Sequence, residues 1–238
     1  MKTIGLIGGM SWESSLEYYR IINETTQARL GPLQSAKSVM YSVNFAEVEA
    51  LQHEGRWDDA AELMVDAAQR LERAGADVVV LCTNTMHKLA DAIATNTQIP
   101  LLHIADATSQ RILVQDVRRV GLLGTRFTME QDFYRTRLEQ HGLEVLIPAE
   151  ADRAIAHRII YEELCQGQIL PDSKAEYVRL MDQLVTAGAE GIILGCTEIE
   201  LLVGEGDTAV PVFPTTRIHA EAAVDWAIAN PCPRPCSS

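Results

Sequence analysis

Residues 74–85 read A-G-A-D-V-V-V-L-C-T-N-T, and residues 187–198 read A-G-A-E-G-I-I-L-G-C-T-E. Laid over one another without gaps, Val79 and Val80 fall on Ile192 and Ile193, and Thr83 falls on Cys196. Ile4-Gly5-Leu6-Ile7-Gly8 likewise echoes Val120-Gly121-Leu122-Leu123-Gly124, and Ile99-Pro100-Leu101-Leu102 echoes Val210-Pro211-Val212-Phe213. Repetition of whole strand-bearing segments means two copies of one unit rather than one irregular domain. The expected fold is α/β: two pseudo-symmetric parallel-sheet domains facing each other across a cleft. Residues 1–101 plus 212–238 form the first, the C-terminal segment returning to it, and residues 102–211 form the second. A polar strand-end residue from each copy suits a reaction that needs one group on each side of a small molecule.

Short β-branched runs alternate with amphipathic stretches, the pattern of a parallel sheet covered by helices. Strands are expected near 3–7, 38–43, 77–82 and 100–104, then near 119–123, 143–147, 191–194 and 210–213. Helices are expected over 12–29, 57–74 and 85–95, then 129–141, 151–166, 173–187 and 216–229. Ala61, Met64, Val65, Ala68 and Leu71 recur at helical spacing. The runs V-V-V-L and G-I-I-L lack polar alternation, as strands covered on both faces should.

The net charge of −13, with no Lys/Arg-rich run, argues against nucleic-acid or anionic-membrane partners. The opening residues enter a strand rather than a secretory signal, and no apolar run approaches the roughly 18 residues of a membrane span. Five scattered cysteines point to a reduced, cytoplasmic protein. Cys232 and Cys236 sit in the tail P-C-P-R-P-C-S-S, which reads as disordered and offers no metal-ligand pattern; no metal is expected anywhere.

In open parallel sheets, ligands bind beyond the carboxyl ends of the strands. Those ends are Gly8-Gly9-Met10-Ser11, Thr83-Asn84-Thr85, Gly124-Thr125 and Cys196-Thr197-Glu198. Cys196 follows a buried strand and precedes a helix, where N–H groups and the macrodipole should favour a thiolate. Its bland alternative is a small buried hydrophobe. Thr83 is raised above a simple capping hydroxyl only by the repeat. Cys82 is the more acidic neighbour, but strand alternation should turn it away from the face that Thr83 and Cys196 share. Asn84, Thr85, Thr197 and Glu198 supply donors at two helix starts that could hold the carboxylates of an amino dicarboxylate. Thr197-x-x-Glu200 also fits a capping box. G-L-I-G-G-M-S lacks a dinucleotide or P-loop spacing and reads as a tight turn exposing N–H groups before a helix capped by Ser11. His87 either orients a site group or is an ordinary buried histidine. Only Lys88 of the four lysines lies near these motifs, which disfavours a pyridoxal Schiff base.

G-L-I-G-G-M-S-W-E-S at 5–14, C-T-N-T-M-H-K at 82–88, L-G-T-R-F-T-M at 123–129 and G-C-T-E-I at 195–199 together resemble the cofactor-independent aspartate/glutamate racemase family. The resemblance implies two facing α/β domains, a homodimer and no cofactor. It also implies proton transfer by two cysteines on opposite sides of the substrate α-carbon. Here the first of those positions is Thr83 and the second is Cys196, similar to a Thr/Cys subgroup that prefers L-aspartate and L-glutamate. It implies further that Met10, Gln52, Asn84, Thr85, Thr197 and Glu198 border the amino-acid substrate. Where many members carry a lysine for the distal carboxylate, I-Y-E-E-L-C-Q-G offers Cys165 and Gln166. Two alternatives follow: a broad-specificity amino-acid racemase or related isomerase, and a two-lobed protein that binds a small acid without turning it over.

Overall fold

The computed structural model describes residues 1–230. In chain order the elements are β1 (Ile4–Gly8), α1 (Trp12–Leu30), β2 (Ser38–Ser42), α2 (Phe45–His53), α3 (Trp57–Arg73), β3 (Val78–Leu81), α4 (Ala90–Thr95) and β4 (Leu101–Leu102). There follow α5 (Ile104–Leu113), β5 (Arg119–Gly124), α6 (Arg126–Glu130), α7 (Asp132–Gln140), β6 (Glu144–Leu146), α8 (Glu150–Glu162), α9 (Pro171–Thr186), β7 (Gly191–Gly195), β8 (Val212–Pro214) and α10 (Thr215–Ala229). Short 3-10 turns cover Thr85–Leu89, Leu164–Gln166, Thr197–Leu201 and Glu205–Asp207.

The first four strands form one parallel sheet in the order β2-β1-β3-β4, and the last four form another in the order β6-β5-β7-β8. The duplication extends to register. Ile7 pairs with Leu81 in the first sheet, and its repeat partner Leu123 pairs with Leu194 in the second. It extends to packing as well. A Cβ on Gly5 would lie 2.8 Å from Ala76 Cβ and 3.3 Å from Leu71 Cβ; one on Gly121 would lie 3.0 Å from Leu184 Cβ. In both copies a side-chain-free position on the central strand lets the helix that leads into the next strand (α3 or α9) settle close to the sheet.

Two compact units emerge. The first holds Met1–Cys82, Leu89–His103 and residues 219–230; the second holds Thr83–Lys88 and Ile104–Ile218. The return to the first unit thus starts later than residue 212, because Val212–Pro214 is β8 and pairs with β7. The segment 83–88 also goes with the second unit. In the first unit Ile4, Leu6, Tyr18, Ile22, Val78 and Val80 pack with Ala220, Ala223, Val224 and Ala227 of α10. His219 anchors that return: its Nε2–H donates to Leu102 O at 2.9 Å, and its Nδ1 accepts from Tyr18 OH at 2.8 Å.

Several sequence expectations need correction. The helix expected over 85–95 is a 3-10 turn, Thr85–Leu89, followed by the short α4. Helices α2 and α5 were not anticipated. The expected strand 100–104 is only two residues long because α5 starts at Ile104. The helix expected over 129–141 is two helices, separated at Gln131, whose backbone is extended (φ −84°, ψ 147°). Among the described residues no helix is long and apolar enough to cross a membrane, and no cluster of three or more potential metal ligands exists. Cys232 and Cys236 lie outside the described residues.

Candidate active site

Within the second unit, two strand-end segments of matching design lie on one hydrogen-bonded framework. The chain leaves β7 at Gly195, passes through Cys196 and enters the 3-10 turn Thr197–Leu201. The segment Thr83–Lys88 arrives from β3 and enters the 3-10 turn Thr85–Leu89. Asn84 Nδ2 donates to Thr215 Oγ1 at 3.0 Å, and Thr215 Oγ1 donates to Leu194 O at 2.8 Å, so Asn84 is tied to the strand that presents Cys196. Thr85 Oγ1 lies 3.0 Å from Thr125 Oγ1, which caps α6 by accepting from Thr128 N at 3.2 Å. Lys88 Nζ donates to Gln131 Oε1 at 2.8 Å, and partial burial lowers its pKa.

His87 fixes the Thr83 backbone. Ile104 N–H donates to His87 Nε2 at 3.2 Å, which leaves Nδ1 as the protonated nitrogen that donates to Thr83 O at 2.7 Å. Both ring nitrogens are thereby engaged with the backbone, and the ring is a positioning group for Thr83.

Thr83, Asn84, Thr85, Cys196, Thr197 and Glu198 are all buried and all belong to the second unit. Met10 and Gln52, also buried, belong to the first. Met10 follows a turn in which Gly9 has φ +90° and sits so close to the backbone that a Cβ would lie 2.1 Å from Val43 O. The Gly9 N–H that the sequence suggested as an open donor is taken by Ser15 Oγ at 2.7 Å. Ser11 does cap α1, accepting from Ser14 N at 3.4 Å.

The two buried thiols differ. Cys82 is wholly buried in the first unit's apolar core, its Sγ 3.8 Å from Val80 O, and burial pushes its pKa far up. Cys196 keeps 8% exposure and sits beside a carboxylate: its Sγ–H donates to Glu198 Oε2 at 3.0 Å, and Thr197 Oγ1 donates to the same oxygen at 2.6 Å. The expectation of a helix-stabilised thiolate is overturned here. Burial first, then the negative charge of Glu198, push the Cys196 thiol well above its usual value; a backbone N–H of Glu198 acts weakly in the other direction. The turn after Cys196 is five residues of 3-10 helix, too short for an appreciable macrodipole.

The capping box expected at Thr197-x-x-Glu200 is absent as well. Glu200 instead accepts from Thr216 N at 2.8 Å at the start of α10, and enclosure of its carboxyl pushes its pKa up to about 7. Cys165, on the turn Leu164–Gln166, also lies within electrostatic range of Cys196. Thr128 and Thr215 are participants that sequence reasoning did not single out, and Glu200 was read there only as a capping residue. The signal for Thr215 was present in the strand-end pattern Pro214-Thr215 opening a helix; Glu200 gave none, because its partner is 16 residues away.

Residues 7–223 match the family described as Asp/Glu/Hydantoin racemase. A solved structure from Yersinia pestis, named as a candidate Asp/Glu racemase, is 56% identical, covers 96% of this chain and all of that one, and superposes with a TM-score of 0.89. An aspartate racemase homologue from Pyrococcus horikoshii is 37% identical over 95% of this chain and 99% of its own, with a TM-score of 0.83. The broad-specificity amino-acid racemase RacX of Bacillus subtilis is 24% identical, covering 72% of this chain and 74% of that one.

Proposed function

Because the chain belongs to the Asp/Glu/hydantoin racemase family, we propose that it interconverts L- and D-aspartate or glutamate by proton transfer at the α-carbon. In this reading Cys196 serves one face and Thr83 the other. The observation that carries it is the pair of repeat-equivalent strand ends, one bearing a hydroxyl and one a thiol, within one hydrogen-bonded framework.

The surrounding groups support an amino-acid substrate. Asn84 Oδ1 is buried and accepts no hydrogen bond from the described residues. A buried amide oxygen in that state is a ready acceptor for a substrate ammonium. The hydroxyls of Thr85, Thr125 and Thr128 lie within 3.5 Å of one another and offer donors for the α-carboxylate. An α-proton is far less acidic than a thiol, so those preorganised donors must stabilise the carboxylate as it takes on carbanion charge. Two fixed groups spare any single base from swinging around the stereocentre. The chemistry asks for no cofactor, and the homodimer implied by the family resemblance is part of the same proposal, tested by sedimentation at micromolar concentration.

One limit binds any asymmetry between directions. Enantiomers are isoenergetic in achiral solution, so kcat/KM is equal both ways and only kcat and KM taken separately can differ.

The test is incubation of L- and D-amino acids in deuterium oxide without added cofactor, followed by NMR. Exchange of the α-proton with aspartate or glutamate is expected, accompanied by the opposite enantiomer. No exchange with any amino acid would leave the binding-protein reading standing. A second enzyme reading has its own support: Cys165 and Gln166 stand where a distal-carboxylate lysine would, and RacX is a broad-specificity relative. Exchange across uncharged side chains as fast as with aspartate would favour it.

A further inference from the structure

We propose that Glu198 is the positioning residue that takes up the Cys196 proton and returns it, so that thiol and carboxylate act as one unit. The inference rests on the racemase reading for its catalytic consequence, and on geometry alone for the coupling of the two groups.

One carboxylate oxygen of Glu198 receives both the Cys196 thiol at 3.0 Å and the Thr197 hydroxyl at 2.6 Å. A buried carboxylate facing an anionic substrate would repel it, so direct binding of a substrate carboxylate is a poor use of this group. Facing a thiol, it has a different consequence. Ionising Cys196 to solvent would place a second negative charge next to the first in a buried site, and burial together with Glu198 opposes that. Moving the proton from sulfur to Oε2 leaves the pair with the same single negative charge as before. The Glu198 backbone N–H, which already favours the anionic sulfur, then serves the thiolate.

The step balances. The Cys196 S–H bond breaks as the Glu198 Oε2–H bond forms. The thiolate takes the substrate α-proton, and the Cα–H electron pair stays on the substrate, spread into its carboxylate. Thr83 Oγ1–H gives its proton to the other face of the carbanion, and the proton held on Glu198 returns through solvent to the Thr83 oxygen, restoring the Cys196 thiol, the Glu198 carboxylate and the Thr83 hydroxyl. The opposite direction runs the same transfers backwards: Glu198 takes up the Thr83 proton through solvent, Thr83 removes the α-proton, Cys196 gives its proton to the carbanion, and Glu198 reprotonates the sulfur. Other ionisable groups near the pair are Cys165, Tyr177 of α9 and Glu200.

Two measurements on Glu198→Gln test this. Without substrate, the pH profile of Cys196 alkylation by iodoacetamide should move to lower pH, because the opposing charge is gone. With substrate, α-deuterium entry in the native protein should be flat from pH 6.5 to 9. In the variant it should fall about 100-fold at pH 6.5, within the range of acid–base contributions, and recover about tenfold per pH unit. An unmoved alkylation profile, or the same pH slope in both proteins, overturns the proposal. If Glu198→Gln does not fold, Glu198→Asp draws the carboxylate back by one methylene: a slowed but flat profile supports the role, and a native rate overturns it. Absence of exchange in the native protein would instead overturn the racemase reading, while the alkylation arm would still decide whether the two groups are coupled.

Discussion

At the end of β3, Cys82 lies wholly inside an apolar core with Tyr18, Val80 and Val224, while at the end of β7 Cys196 touches a carboxylate. The strands are repeats of one another, and both lead into 3-10 turns. Burial raises both thiols, yet only Cys196 has a neighbour able to receive its proton. Acidity in isolation therefore does not tell the two cysteines apart. The difference lies in the neighbour, a carbonyl oxygen in one case and a carboxylate in the other.

This contrast can be broken by experiment. The largest expected effect is at Cys196. Cys196→Ser should lower solvent-deuterium entry at the substrate α-carbon by roughly 1,000-fold, in the range of acid–base catalysis; near-native entry measured by NMR would transfer the role elsewhere. On the sealed side the signature should be stability. Burial lowers the His219 pKa to about 4, against 6.5 in an exposed chain. A depressed histidine contributes fully above pH 6.5 and loses that contribution as pH falls toward 4, because the unfolded chain binds the proton first. About 3 kcal/mol is at stake by this linkage. Urea unfolding at pH 4 and 7 should therefore show a steeper loss in the native chain than in His219→Gln, and equal losses would refute the assignment.

Smaller effects sharpen the contrast. Thr83→Cys should make kcat and KM in the two directions more alike, with about a tenfold gain in the slower kcat, roughly 1.4 kcal/mol. Unchanged asymmetry in stopped polarimetry would remove Thr83 from its proposed role. Smallest of all, Cys82→Ala should cost about 1 kcal/mol in thermal or urea unfolding and leave deuterium entry untouched.

Much of this architecture was legible because buried parallel strands announce themselves. V-V-V-L and G-I-I-L lack polar alternation, and the repeat put them at equivalent places in two units. Helix α2 escaped because F-A-E-V-E-A-L-Q-H is short and only weakly amphipathic, and α5 because it follows β4 with one residue between them. The burial of Cys196 and Thr83 at repeat-equivalent strand ends was legible by position. The state of Cys196 was not, since the contact that governs it depends on a 3-10 turn folding residue 198 back onto residue 196. Sequence spacing alone read that turn as a helix start and gave the sulfur the wrong electrostatic neighbour.

Helix α10 runs unbroken from Thr215 to Ala229, yet Thr215 steadies the strand presenting Cys196 while Ala220, Ala223, Val224 and Ala227 fill the other core. The stretch 83–88 is lent across in the same manner. Neither half can then be produced as an uninterrupted fragment: cutting after residue 214 would strip apolar filling from one half and an anchoring hydroxyl from the other. Any attempt to shuffle one half between relatives must carry this helix with it.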